Sequence, residues 1–474
     1  MRTLGEPEIG LALRVVRQFH SAALLSAVTL LLLSPDQIQA QIQGQIAGEL
    51  ASAPVPARIL SPVDNSDLTI VRGSTHPAVR NAIDNGRLAS TEAMGDLILV
   101  LKRSDAQQAA LESFNAQQYD PASPEFHHWL TPPELGATYG VAESDLVTVS
   151  NWLQNQGFTI DEIAPSHTSI RFSGNVGQVE TAFHAEMHAI TSGGVAHIAN
   201  MSDISIPTAL TPVVVGVKAL HNFFAKPQHH TRPLLSGSAS GGWAPASEQR
   251  ATLNKRGGPD VAAADTTGLA GARPGYAPGD GYQLLVPYDM ATIYNYKSLW
   301  AASTPINGTG QTVALAGTSN IVLTDIATFR SATGLPAKVP TVIITNSDPG
   351  TTNLLDDRME NTLDVEWSGA AAPGASIVLV TSSQTSQTTD ALYASESYIV
   401  NNNVAKIMSV SYGECELGMG TAGNQEYANL WQQAYTQGIA VFVSSGDSMA
   451  AACDDGHYNP PPIMQWSTAL PSAA

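Results

Sequence analysis

The feature that most constrains this chain is an alternation in its last third. Apolar runs at 312–316, 339–344, 376–380, 406–411 and 439–444 are separated by amphipathic stretches at 325–333, 354–371, 388–401 and 425–437. The runs are short and apolar on both faces, so both faces must be covered. The stretches between them repeat with a helical period. Together they predict an α/β domain, a parallel sheet with helices on either side. Such a sheet presents reactive groups just past the carboxyl ends of its strands.

An earlier region has a different order. A strand at 97–101 is followed by helical patterns at 105–117 and 141–156, the second closing at Gly157. Strands at 158–163 and 169–172, a helix at 176–183 and a strand at 186–190 come next. This predicts a compact α+β domain, an antiparallel sheet with two helices on one face. Residues 225–281 are rich in Gly, Ser, Pro and Ala without apolar period, as expected of an exposed linker open to proteolysis. At the amino end, Arg14, Arg17 and His20 precede the apolar run 22–33, then Pro35 and a polar stretch to Ala40, the layout of a secretory signal. That run is shorter than the roughly 20 residues a membrane span needs. The chain therefore divides into a signal (1–40), a polar lead-in (41–80), the α+β domain (81–224), the linker (225–281) and the parallel-sheet domain (282–474), and is expected outside the cell.

Charge narrows the function classes. There are 41 acidic against 22 basic residues, a formal net charge of −19. That field repels phosphate backbones and anionic membranes, so neither nucleic acid nor membrane is an expected partner. Scarce Lys and Arg suit an acidic medium. Two cysteines, Cys415 and Cys453, read as one disulfide or as two buried thiols. The His127–His128 and His229–His230 pairs lack metal-ligand spacing. Gly308-Thr309-Gly310 precedes a strand rather than following one and is no dinucleotide loop.

Three motifs carry candidate chemistry. Glu360 and Asp364 lie four apart within a helical stretch, which puts both carboxylates on one face, with Trp367 three residues on. Ser444-Ser445-Gly446-Asp447-Ser448 follows an apolar strand, so Asp447 stands at a carboxyl end. Ser411-Tyr412-Gly413 closes another strand. On the residues alone, the acidic pair also reads as a solvated face and the Ser-Gly-Asp segment as a plain turn.

A family resemblance separates these alternatives. Asp120-Pro121-Ala122-Ser123-Pro124-Glu125-Phe126-His127-His128-Trp129-Leu130-Thr131-Pro132, with Tyr139-Gly140-Val141, Trp152-Leu153, Gly157-Phe158, Ala199-Asn200, Ile206-Pro207 and Leu220-His221-Asn222-Phe223, resembles the activation domain of kumamolisin-type propeptides. Leu285-Val286-Pro287-Tyr288-Asp289-Met290-Ala291 with Tyr294-Asn295, and the sequence on to about Asp454, resembles the catalytic domain of the sedolisin (serine-carboxyl peptidase) family. The resemblance implies a subtilisin-like α/β fold behind a ferredoxin-like propeptide that assists folding and covers the active site. It implies Glu360 as general base, Asp364 as its orienting partner, and Asp447 as the oxyanion-hole side chain, which must be protonated to donate. It implies Ser411-Tyr412-Gly413 as the segment that aligns peptide substrate by strand addition. A disulfide between Cys415 and Cys453 is expected to pin two loops of that site, and Met449 stands where the family usually has Gly.

The family's Gly-Thr-Ser-x-x-x-Pro nucleophile motif has one partial echo, Gly317-Thr318-Ser319, but it precedes Glu360 and carries Leu323 in place of proline. No serine of these 474 residues is therefore assigned as nucleophile. The tail after Asp455 does not resemble the family, and the calcium site expected of it would lie beyond this chain. The reading is a secreted, acid-acting, monomeric endopeptidase precursor, truncated at its carboxyl end and itself inactive. Its partners would be protein or peptide substrates and its own propeptide. The alternative is an inactive fragment acting as a propeptide-type inhibitor or binding module. A glycosidase is set aside, because carboxylates four apart on one helix do not flank a glycosidic bond.

Overall fold

The computed structural model describes residues 55–218, 220–227, 235–237, 243–245, 276–279, 282–352 and 355–446. Its first strands are short: β1 (Leu68–Ile70) and β2 (Ile83–Arg87) precede the apolar run, which becomes β3 (Ala93–Leu101). Helix α1 (Asp105–Gln118) starts at a capping box in which Ser104 and Gln107 satisfy each other's backbone N–H. Thr131, Pro132 and Glu134 start α2 (Pro132–Tyr139) in the same way. α3 (Glu143–Asn155), β4 (Thr159–Ile163), β5 (Ser169–Asn175), α4 (Val176–Phe183), β6 (Met187–Ser192), β7 (Val195–Asn200), β8 (Ser205–Pro207) and β9 (Val214–Lys218) complete this half.

Where one antiparallel sheet is expected, three form among the described residues: β4-β5-β3-β9, β2-β6-β7 and the pair β1-β8. α4 ends on His184 in the left-handed conformation (φ 55°). The chain turns there, and β6 pairs with β2 instead of extending the sheet of β5. The core lies between sheet and helices, with Leu97, Leu99, Leu101, Phe172, Trp152 and Phe183 in one cluster. Ile98 and Val100, on the other face of β3, pack with Ala422 and Tyr393 of the carboxyl-terminal half. Both faces of β3 are thus covered, which is why its run is apolar throughout.

The described part of the lead-in, from residue 57, is part of this packing. Ile59, Val63 and Val71 lie against the core. The Arg58 and Ile59 N–H groups donate to the Asp145 carboxylate at 2.8 and 3.0 Å. Within the expected linker, β10 (Lys226–Pro227), β11 (Leu235–Gly237), β12 (Trp243–Pro245) and β13 (Tyr276–Gly279) are described, and β14 (Tyr282–Leu284) follows just past it; β11 pairs with β12 and β13 with β14.

The carboxyl-terminal half follows the predicted alternation. α5 (Pro287–Ile293) and α6 (Lys297–Trp300) lead into β15 (Thr312–Gly317), α7 (Leu323–Ala332), β16 (Thr341–Ile344) and α8 (Leu355–Ala371). Then come β17 (Ser376–Thr381), α9 (Ala391–Asn401), β18 (Ile407–Val410), β19 (Tyr412–Gly413), α10 (Glu416–Thr436) and β20 (Ala440–Val443). The sheet is parallel, in the order β16-β17-β15-β18-β20. Residues alternate across it: Ala314, Ala316, Val378 and Val380 join one cluster, and Leu315, Ile377 and Leu379 the opposite one. Among the described residues no helix is long and apolar enough to cross a membrane.

Candidate functional site

Helix α8 lies across the carboxyl end of β15. Its Asn361 side chain packs so closely on Gly317 that a Cβ there would come within 2.5 Å of it. Glycine at the strand end therefore lets α8 approach, and that approach brings the acidic face of the helix to the strand ends. Glu360 is buried, at 4% exposure. Asp364, one turn on, accepts a hydrogen bond at 2.7 Å from Ser411 Oγ, the first residue past β18. Sequence-expected Glu360, Asp364 and Ser411 thus meet at one place. Trp367 packs instead against Phe329 of α7.

Tyr412 stands at the centre of this group. It is fully buried, and its hydroxyl donates to Asn361 Oδ1 at 2.8 Å. Thr318 Oγ1 lies 3.1 Å from that hydroxyl and donates to Asp357 Oδ1 at 2.5 Å. Burial, and then the negative charge of Asp357, push the Tyr412 phenol well above its ordinary value, with Asp364 and Glu360 adding to the effect. Asp357, Asn361 and Thr318 are members that sequence reasoning missed. The signal was present: Asp357, Glu360 and Asp364 fall at i, i+3 and i+7, one acidic stripe along a helix.

Ser319 is fully buried, and its hydroxyl donates to the carbonyls of Asn320 at 2.9 Å and Gly350 at 3.4 Å. It faces backbone rather than the acidic stripe. Asp447 lies outside the described residues, as do His229 and His230. The strand before it, β20, is neighbour to β18, and the Ser444 N–H donates to Val410 O at 3.0 Å. Cys415, at the start of α10, is disulfide-bonded; Cys453, its expected partner, lies outside the described residues. Among the described residues, no group of three or more His, Cys, Asp or Glu side chains is placed to hold a metal ion. The calcium implied by the resemblance therefore has no ligand set to test here.

The segment after Ser411 already has a strand beside it. Lys226 and Pro227 of β10 pair antiparallel with Gly413 and Tyr412 of β19. The chain's own backbone occupies this edge. A cavity of about 830 Å³ lies elsewhere, between α1 and α10, and none of its lining residues belongs to α8.

An α+β half thus packs on a parallel α/β half, and a strand from the segment between them pairs beside the acidic helix. Residues 80–223 match the family model for the pro-kumamolisin activation domain. Xanthomonalisin of Xanthomonas sp. (strain T-22) is 28% identical over 395 residues, covering 81% of this chain and 42% of that protein. Sedolisin of Pseudomonas sp. (strain 101) is 25% identical over 401 residues, covering 83% and 60%. Kumamolisin of Bacillus sp. (strain MN-32) is 22% identical over 400 residues, covering 82% and 63%. A solved structure of Pseudomonas sedolisin, a serine-carboxyl proteinase complexed with two molecules of pseudo-iodotyrostatin, is 25% identical. It covers 39% of this chain and 49% of that one at a TM-score of 0.26, so the fold is taken from the strand order itself. The chain thus carries a match to the pro-kumamolisin activation domain and is similar over most of its length to xanthomonalisin, sedolisin and kumamolisin. It spans 42 to 63% of the length of these curated relatives.

Proposed function

We propose that the chain is the precursor of a secreted, acid-acting serine-type endopeptidase, with a ferredoxin-like activation domain ahead of a subtilisin-like peptidase domain. The observation that carries this reading is the antiparallel pairing of Lys226–Pro227 with Tyr412–Gly413, next to the Ser411–Asp364 hydrogen bond. A peptide laid along Tyr412–Gly413 would run beside the helix that bears Glu360. The chain's own strand takes that place first, as an activation segment should.

In the proposed reaction Glu360 accepts the proton of a serine hydroxyl as it attacks the scissile carbonyl. Asp364, oriented by Ser411, holds Glu360 and strengthens it as a base. Asp447 donates from its protonated carboxyl to the developing oxyanion. A base and a proton donor that are both carboxyl groups restrict the reaction to acid. The attacking serine is not assigned among residues 1–474.

The test is to hold the protein expressed from its complete gene at about pH 3–4, close to ordinary carboxyl pKa values, with a denatured protein, and to follow cleavage by mass spectrometry. Cleavage between 224 and 285, with digestion of the substrate and loss of both in Glu360→Gln, identifies the peptidase. No cleavage by the unaltered protein from that gene turns the reading to its alternative, an activation-domain module that inhibits by strand occupancy. That module should slow an active sedolisin-type peptidase when added to it.

A further inference from the structure

A second group of buried acids lies in the carboxyl-terminal half, away from α8, and it surrounds a cation supplied by the other half. Lys218 ends β9 and is 5% exposed. Its ammonium lies 2.5 Å from Asp390 Oδ2, with both side chains almost fully buried. It also sits 4.9 Å from the ring centre of Tyr393 and 5.4 Å from that of Tyr427, close enough for attraction to both ring faces. Asp390 serves two ends at once. Its Oδ1 caps α9 by accepting the Tyr393 N–H at 3.1 Å, and its Oδ2 takes the lysine.

Further carboxyl groups close the pocket. Glu396 is fully buried, and among the described residues no well-formed hydrogen bond reaches either of its carboxylate oxygens. Burial, then Asp390, holds it well above the usual carboxylate range. Burial raises Glu414 to about 8 although Lys218 pulls it down. Glu426 accepts from the Tyr393 hydroxyl and is also raised by burial. Glu414 therefore keeps its proton at pH 7, and the Asp390 carboxylate is the one that lies against the ammonium. Burial works against the ammonium, yet the acids beside it, Asp390 first, hold Lys218 above its ordinary value. Tyr393, one wall of this pocket, also packs with Ile98, Val100, Val215 and Ala422 in an apolar cluster. A desolvated charge beside packed apolar side chains is the anatomy of a binding hot spot.

We propose that the pocket of Asp390, Glu396, Glu414, Tyr393 and Tyr427 is an ammonium-recognition site through which the carboxyl-terminal half holds its activation domain, with Lys218 as the ligand. This rests on reading residues 80–223 as an activation domain, and it does not require that the protein cleave anything. The aromatic walls and the one carboxylate in contact with the ammonium suit a compact cation; the wider planar guanidinium of arginine has no forked acceptor there. The pocket is separate from the acidic stripe of α8, so recognition and chemistry fall on different residues.

The test is hydrogen exchange of the full chain at pH 7, read by mass spectrometry in α9 and β9. Lys218→Met strands Asp390 beside buried acids, and Asp390→Asn keeps the helix cap but removes the charge. Each single variant should raise exchange about 100-fold, the scale of a broken buried ion pair. The double variant should be no worse than either single, because no charge is left unpaired. At about pH 4, near ordinary carboxyl pKa values, the Lys218→Met effect should shrink below tenfold. Exchange in Lys218→Met equal to that of the unaltered chain at pH 7, or single effects that multiply in the double variant, would overturn the proposal. Should Lys218→Met not fold, recovery of the fold in the double variant supports the pairing and its failure overturns it. Acid processing without coupling would sink the docking site alone; coupling without processing would leave it standing and remove the peptidase reading.

Discussion

Two groups of carboxylates lie in the same half of this molecule and are held differently. The α8 group, Asp357, Glu360 and Asp364, is bonded among the described contacts to hydroxyls: Thr318 to Asp357 and Ser411 to Asp364. The α9 group is built around an ammonium, with Asp390 on Lys218. Hydroxyl partners orient a carboxylate and leave it able to exchange a proton. An ammonium at 2.5 Å fixes the charge and ties it to stability. The first arrangement suits chemistry and the second suits docking.

The sharpest way to break this comparison is to exchange the expected effects. Glu360→Gln should lower kcat for protein hydrolysis by about 10⁴-fold or more while leaving the urea midpoint nearly unchanged. Asp390→Ala should do the reverse, costing about 3–5 kcal/mol of stability at pH 7 in urea unfolding, because it strands a buried ammonium and removes a helix cap. If Glu360→Gln unfolds the protein and Asp390→Ala does not, the assignment of roles is wrong. Ser411→Ala removes the hydroxyl donor to Asp364 and should lower kcat by roughly 10–100-fold, the worth of a hydrogen bond to a charged group, with KM little changed.

The smallest effects are in the pH dependence of stability, and they oppose each other. Burial, and then Asp325, raises Glu366 to about 8. Its folded pKa lies above the unfolded value, so its contribution is full below about 4.5 and is lost as pH rises through about 8. Glu366→Gln should flatten the alkaline side of a urea-stability profile. Burial, and then His197, lowers His76 to about 4. Its contribution is present above about 6.5 and is lost as pH falls through about 4. His76 stacks on Phe223 with ring centres 3.9 Å apart, so His76→Phe keeps the stack and should flatten the acid side.

Much of this architecture was legible because it depends on period. The five parallel strands and the helix of Glu360 and Asp364 fall where alternation and spacing put them. What was hidden depends on contacts between distant residues. The start of α10 reads as a loop because Gly418, Gly420 and Gly423 crowd it. It is helical on either side of a kink at Gly420 (φ 64°), and Gly418 makes room for the His76 ring from the lead-in. The lead-in itself shows no period. It is held by side chains reaching backbone N–H groups far along the chain, as Asp145 does for Arg58 and Ile59 and Asp203 for Gly73 and Thr75. Lys226–Pro227 carries no strand signal at all; its pairing comes from the edge that Tyr412–Gly413 presents. At the site, Glu360 and Asp364 were found by spacing, whereas Thr318 sat inside a motif set aside for its serine.

The central claim is that the α8 carboxylates perform acid-limited peptide hydrolysis. The most direct measurement is the rate at which the protein expressed from its complete gene hydrolyses a denatured protein across pH 2–7, beside its Glu360→Gln variant; both fall in the range where carboxyl groups titrate. The account predicts a maximum at about pH 3–4, a steep fall toward neutrality, and a variant at least about 10³-fold slower throughout. A variant as fast as the unaltered protein, or a rate that holds from pH 4 to 7, would contradict it.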